Sequence, residues 1–295
     1  MKLNLWPLLI AICLMHTTAC TDDNDNLKNI EDDNMSNVSD SEWQQLSQIK
    51  ILFGHHSVGR NILEGVQELM KANPQINLKI IDSESLNNNC GGYLKHFSVG
   101  QNRNPISKTE SFKNMLSQQR SEEKPHLDFF KYCYVDINEK TDIKKIFENY
   151  KQTIHSLKQD FPEITIMHVT VPLLTTDLKF NLNLWYKRLK STSYWKSILE
   201  RFIKISNIFR YQENVSRNEF NQLIIENYTG IDPIFDLAKI EATHSNGSLN
   251  TFEHNGEVYL SLIPEYSSDG GHLNEKGRKI LAENFLLTLV DISNW

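Results

Sequence analysis

Near the C-terminal end, Ser268-Asp269-Gly270-Gly271-His272-Leu273-Asn274-Glu275-Lys276-Gly277 sets an Asp three residues before a His on a Gly-rich turn. A His can take and return a proton near neutral pH, and a carboxylate beside it holds the ring's tautomer and stabilises the imidazolium. One short segment therefore supplies two members of a hydrolytic triad, Asp269 and His272, and lacks only the nucleophile. The best-placed hydroxyl is Ser57, in Phe53-Gly54-His55-His56-Ser57-Val58-Gly59-Arg60-Asn61, where an apolar run gives way to helix-period sequence from about Gly59. A hydroxyl there meets backbone N–H groups at the positive end of a helix, which suits a reaction that develops an oxyanion. The alternatives are structural: Ser57 as a helix cap, and Asp269 as the cap of the last helix with His272 on the surface.

An oxyanion needs further donors. Asn138, in Tyr134-Val135-Asp136-Ile137-Asn138-Glu139, is a side-chain amide at the end of an apolar run, or else a turn Asn. Gly100, in Ser98-Val99-Gly100-Gln101-Asn102, lets backbone approach a substrate unhindered, and Gly91 and Gly92 compete for that role. His56 and Asn102, beside the nucleophile and the Gly donor, are assigned to substrate binding.

The elements that must position these residues alternate. Strand-like runs cover 49–53, 76–81, 129–137, 164–171 and 234–237, and helix-period stretches cover 59–71, 108–119, 142–160, 194–228 and 274–291. That pattern predicts an α/β fold whose parallel sheet carries helices on both faces. In such sheets ligands sit outside the carboxyl ends of the strands, which selects the loops beginning at His55, Asp82, Asn138, Pro172 and Ala238. Residues 217–221, with Phe220, and 236–241 border the same edge, and Asp236 is given no chemistry.

The order Ser57, Gly100, Asn138, then Asp269 with His272, resembles the SGNH (GDSL-type) hydrolase superfamily, whose four blocks supply nucleophile, Gly donor, Asn donor and Asp-x-x-His in that sequence. The family's Gly-Asp-Ser is His55-His56-Ser57 here, and its Gly-x-Asn-Asp is Asp136-Ile137-Asn138-Glu139. His56 therefore either contacts substrate or fills a place the family gives to Asp. The resemblance implies a flavodoxin-like three-layer sandwich with a mainly parallel sheet of about five strands. It also implies hydrolysis of an acyl ester, an acetyl ester of a carbohydrate above all, through an acyl-serine and with no metal or organic cofactor. Trp185 and Tyr186 are placed either to stack on a sugar ring or to pack. Three other readings stand beside it: a metal-assisted phosphodiesterase using His55, His56, Asp136, Asp269 and His272; an O-acyltransferase on the same triad; and a glycan-binding module without catalysis.

Residues 1–19 carry one Lys and a short apolar run, the pattern of an export leader. Thr17-Thr18-Ala19-Cys20 resembles a lipoprotein signal, which predicts lipidation of Cys20 and a membrane as partner; an ordinary secretory leader is the alternative. That puts the protein in a bacterial cell envelope, periplasmic or at the cell surface. Residues 20–45, rich in Asp, Asn and Ser, are expected to be a disordered acidic tether, and 46–295 the globular domain. Of the four Cys residues, Cys13 and Cys20 belong to the leader and lipid site; Cys90 and Cys133 either pair or stay apart, with Cys133 a buried small hydrophobe. The net charge of −6, with no basic cluster, excludes nucleic acid as a partner.

Overall fold

The computed structural model describes residues 33–82, 91–118, 127–177 and 193–293, without the side chains of 33–34 and 193–209. The leader, Cys20, Cys90, Trp185 and Tyr186 lie outside the described residues. Two short helices, α1 (Asp33–Ser36) and α2 (Asp40–Leu46), lead into β1 (Lys50–His55) and α3 (Ser57–Ala72). There follow β2 (Ile80–Asp82), β3 (Tyr93–Ser98), α4 (Pro105–Gln118), β4 (Leu127–Phe130) and α5 (Ile143–Asp160). Two strand fragments, β5 (Thr165–Ile166) and β6 (His168–Val169), precede the long α6 (Ser193–Tyr228), β7 (Ile234–Phe235) and α7 (Leu237–Glu241). A hairpin of β8 (Thr251–His254) and β9 (Glu257–Leu260), a 3-10 turn at Pro264–Tyr266, and α8 (Glu275–Ser293) complete the chain.

The fold is α/β: a five-stranded parallel sheet in the order β2-β3-β1-β4-β5, flanked by helices on both faces. β6 extends the line of β5 past Met167 and pairs in parallel with β7. β1 is buried on both sides, so its apolar residues divide by alternation. Ile51 and Phe53 join α2, α3 and α8 in one core with Trp43, Ile62, Val66, Leu281 and Phe285. Leu52 joins α4, α5 and α6 in the other, with Phe112, Ile146, Tyr150, Phe220 and Ile224. Gly65 is what lets α3 and α8 approach so closely, since a methyl group there would stand 2.5 Å from the Arg278 carbonyl oxygen. The chain places β3 and β2 on one side of β1, and β4 and β5 on the other. The connections diverge at β1, which makes the carboxyl ends of β1, β3 and β4 the edge where sheets of this kind bind ligands.

Three expectations are corrected. Ordered structure begins before residue 46: Ser39 and Glu42 form a reciprocal capping box on α2, and Trp43 and Leu46 are buried in the first core. Burial of one Trp and one Leu offsets the entropy of ordering a single helical turn or two, and the Ser-x-x-Glu spacing ahead of apolar residues was the signal. The third strand ends at Phe130, not at 137. Asp136 accepts the Cys133 N–H at 2.6 Å and the Asp136 N–H returns to the Cys133 carbonyl, which folds the chain into a turn. Finally, β3 and the β8–β9 hairpin were not anticipated. The hairpin turns on Asn255-Gly256, both with positive φ, the dipeptide best suited to such a turn.

Candidate active site

β1 delivers His55, and His56 forms the N-cap of α3. Ser57 stands one place inside, at the first helical position, half-buried, so its hydroxyl is not the cap. The His56 ring reaches sideways: Nε2 donates to the Val99 carbonyl at 2.8 Å and approaches the Gly100 carbonyl at 3.1 Å. It thereby ties the loop before Ser57 to the Gly100 loop, and the ring nitrogen that substrate binding would need is engaged there. Gly100 has φ +50°, and a methyl group there would stand 2.5 Å from the Ser107 carbonyl oxygen, so only Gly fits. Asn102 accepts from Lys108 Nζ at 3.0 Å, which places its carboxamide oxygen inside the loop's own network.

The turn carrying Asp269 and His272 is wound around the Ser267 hydroxyl, which accepts the Gly270 N–H at 2.9 Å and donates to the His272 carbonyl at 2.6 Å. Gly270 takes φ +91° to close it. One Asp269 oxygen accepts the N–H groups of Gly271 and His272 at 3.0 and 2.8 Å. The other accepts His272 Nδ1–H at 2.7 Å. Partial burial works against the Asp269 charge, but the bonds from the His272 ring and from the two amides outweigh it and hold the carboxyl below its usual range. Because Nδ1 carries the proton, Nε2 presents a lone pair, which is the form a general base requires.

Two elements tie this turn to its neighbours. Asn61 lies one helical turn after Ser57 on the same side of α3, and its carboxamide oxygen accepts the Leu273 N–H at 3.3 Å. From below, α6 grips the 171–174 segment: Asn221 exchanges two hydrogen bonds with the Val171 peptide and Asn214 two with Leu174. The Thr175 N–H then donates to the Gly270 carbonyl at 3.0 Å, and the Leu174 side chain packs where a Cβ on Gly271 would otherwise sit. The stretch 217–221, expected at the border of the site, thus supports it from beneath, with Arg217 Nε donating to the Tyr134 carbonyl at 2.8 Å.

Tyr134 was not singled out from sequence. Its hydroxyl lies 3.2 Å from His272 Nε2 and 3.5 Å from Nδ1, with the two rings edge to face. Asn138, by contrast, is built into the turn before α5: its carboxamide oxygen accepts the Lys140 N–H and its own N–H donates to Thr141 Oγ1, both at 2.9 Å. Asp136 is buried and salt-bridged to Lys108 at 2.6 Å, which joins the Gly100 region to the loop after β4. Cys133 is a buried free thiol beside it. Among the described residues no three His, Cys, Asp or Glu side chains are grouped to hold a metal ion.

His55 is buried behind Ser57, its Nδ1 donating to the His56 carbonyl at 3.1 Å and its Nε2 facing His96 Nδ1 at 3.3 Å. Burial, above all, lowers its pKa from 6.5 to about 3, and burial lowers His96 and His168 as well. The unfolded chain therefore binds protons at a pH where the folded one does not. The stability this confers is fully present above pH 6.5 and is lost as pH falls towards 3. Urea melts at pH 7 and pH 5 are expected to show a loss in the unaltered protein and a smaller loss in His55→Gln; equal losses would detach the effect from His55.

No protein-family model and no curated protein matches this chain. Solved structures similar to it include a platelet activating factor protein from Streptococcus pneumonia, at 15% identity over 85% of this chain and 90% of that one, with a TM-score of 0.45. A lipase/acylhydrolase from Enterococcus faecalis is similar at 13% identity over 83% of this chain and 96% of that one, with a TM-score of 0.45. A lipolytic protein of the G-D-S-L family from Desulfitobacterium hafniense is similar at 8% identity over 81% and 99%, with a TM-score of 0.41.

Proposed function

We propose that this protein is a serine esterase that removes a small acyl group, acetyl above all, from a hydrophilic alcohol such as a carbohydrate hydroxyl. The observation that carries this reading is the Asp269–His272 bond of 2.7 Å on a turn joined through Asn61 to the helix that begins with Ser57. Ser57 Oγ attacks the acyl carbon while its proton passes to His272 Nε2. The oxyanion forms against the N–H groups at the start of α3 and the Gly100 backbone. Collapse of the tetrahedral intermediate breaks the ester bond, and the leaving alcohol takes the proton from His272. Water then repeats the sequence, giving its proton to His272 and freeing the acid and Ser57. The side chains of Asp269 and His272 are 40% and 38% exposed, an open setting that admits a substrate carried on a large hydrophilic molecule.

A fluorophosphonate probe tests this directly, because it forms a stable bond only with an activated serine. The unaltered protein is expected to gain one label, on the peptide that contains Ser57, and His272→Ala to gain none. Absence of label on the folded, unaltered protein would sink the reading.

A further inference from the structure

A serine esterase needs donors aimed at the acyl oxygen as it becomes an oxyanion. In this fold the loops after the strands beside β1 leave the same carboxyl edge of the parallel sheet as Ser57. The loop after β3 offers Gly100. The loop after β4 turns back at 133–136, so that Asn138 falls well beyond the strand end at Phe130 and inside the turn before α5. The residue this loop sends to His272 is Tyr134.

The two distances from the Tyr134 hydroxyl fix where it lies. A hydroxyl on the Nε2 lone pair would be far more distant from Nδ1 than from Nε2. Here the values are 3.5 and 3.2 Å, so the hydroxyl stands over the ring, and the lone pair in the ring plane is open. Ser57 Oγ must approach along that lone pair to hand over its proton. The acyl carbon is bonded to Oγ and the oxyanion to that carbon, so a donor beside Nε2 but off its lone pair reaches the oxyanion without competing for the proton.

We propose that Tyr134 is the side-chain donor of the oxyanion hole, in the place expected of Asn138; this rests on the serine-esterase reading above. The residue is held from several sides. Arg217 clamps its carbonyl, and its ring packs so tightly on Gly271 that a Cβ there would stand 3.1 Å from it. Burial, and after it the Asp269 charge, push the hydroxyl's pKa up to about 12, so it stays a donor across the working pH range. A tyrosine hydroxyl is a proven donor to an oxyanion in other enzymes.

The test measures p-nitrophenyl acetate hydrolysis and inhibition by an aryl boronic acid, which adds to the serine as a tetrahedral anion. Tyr134→Phe keeps the ring and its packing. It is expected to lower kcat about 100-fold with KM within about twofold, and to weaken boronate inhibition by a similar factor. Asn138→Ala is expected to leave kcat within about threefold, since it removes no interaction with the transition state. Tyr134→Phe with kcat within about threefold of the unaltered enzyme, or Asn138→Ala with the larger loss, overturns this assignment alone. A drop in kcat with boronate inhibition unchanged also overturns it, because that pattern belongs to a positioning residue. No hydrolysis by the unaltered protein overturns the esterase reading and this assignment with it.

Discussion

Ser57→Ala and His272→Ala are each expected to lower the hydrolysis of p-nitrophenyl acetate by about 10⁴-fold, with the double variant no worse than either alone. The non-additivity follows from the chemistry. Without the base the serine keeps its proton, and without the serine the base has nothing to activate, so removing the second member costs nothing further. Neither substitution should unfold the protein. The Ser57 hydroxyl is not the cap of α3, and the His272 ring is more than a third exposed. What His272→Ala removes is one bond to Asp269, whose other oxygen still accepts two backbone N–H groups. Rates, circular dichroism and thermal melts on a protein truncated before Asp33 give the answer, with a chelator present in a parallel series. Retention of a tenth or more of the activity by Ser57→Ala would exclude it as the nucleophile. Loss of activity in chelator would revive a metal-assisted reaction.

Asp136→Ala produces the largest expected loss of stability. Both members of the Lys108–Asp136 pair have no exposed side-chain surface, and they meet at 2.6 Å. Asp136 also accepts the Arg103 N–H at 2.7 Å and the Cys133 N–H at 2.6 Å. Removing the carboxylate leaves a buried ammonium with only the Asn102 oxygen to accept from it, and two backbone amides without their acceptor. A broken buried pair costs about 3–5 kcal/mol. For a domain of this size that corresponds to a fall in Tm of about 10 °C, at roughly 2–4 °C per kcal/mol. Lys108→Met is the comparison: it removes the charge but leaves Asp136 with both amide donors, and it should cost less than half as much. The loss matters for chemistry too, because this carboxylate binds the Gly100 loop to the loop that carries Tyr134. A shift in Tm of under about 2 °C for Asp136→Ala would mean that the pair holds nothing together.

The site was legible where the chemistry is local. Asp269 and His272 meet because three residues on one tight turn separate them, and Gly270 and Ser267 close that turn from within the same segment. The core strands were legible for a related reason. β1 is buried on both faces and reads as a continuous apolar run, and α5 shows its buried face as Ile146, Phe147, Tyr150, Ile154 and Leu157. The end of β4 was not legible, because the apolar run carries on past Phe130 through Tyr132, Cys133 and Val135. What bends the chain there is a bond between Asp136 and a backbone amide, and its price is met by Lys108, which arrives from a different helix.

By itself, then, the sequence determined the α/β layering, the Asp269–His272 pair and the position of Ser57 at the head of a helix. Periodicity and short-range spacing carry all three. Only the tertiary structure decided which side chain faces His272, because Tyr134 arrives there through a turn set by Asp136, a clamp from Arg217 on α6 and a close approach to Gly271. Those contacts link residues far apart in the chain, so no local pattern records them. Asn61 is intermediate: its spacing from Ser57 was visible, but its bond to Leu273 exists only because α3 and α8 pack side by side at Gly65.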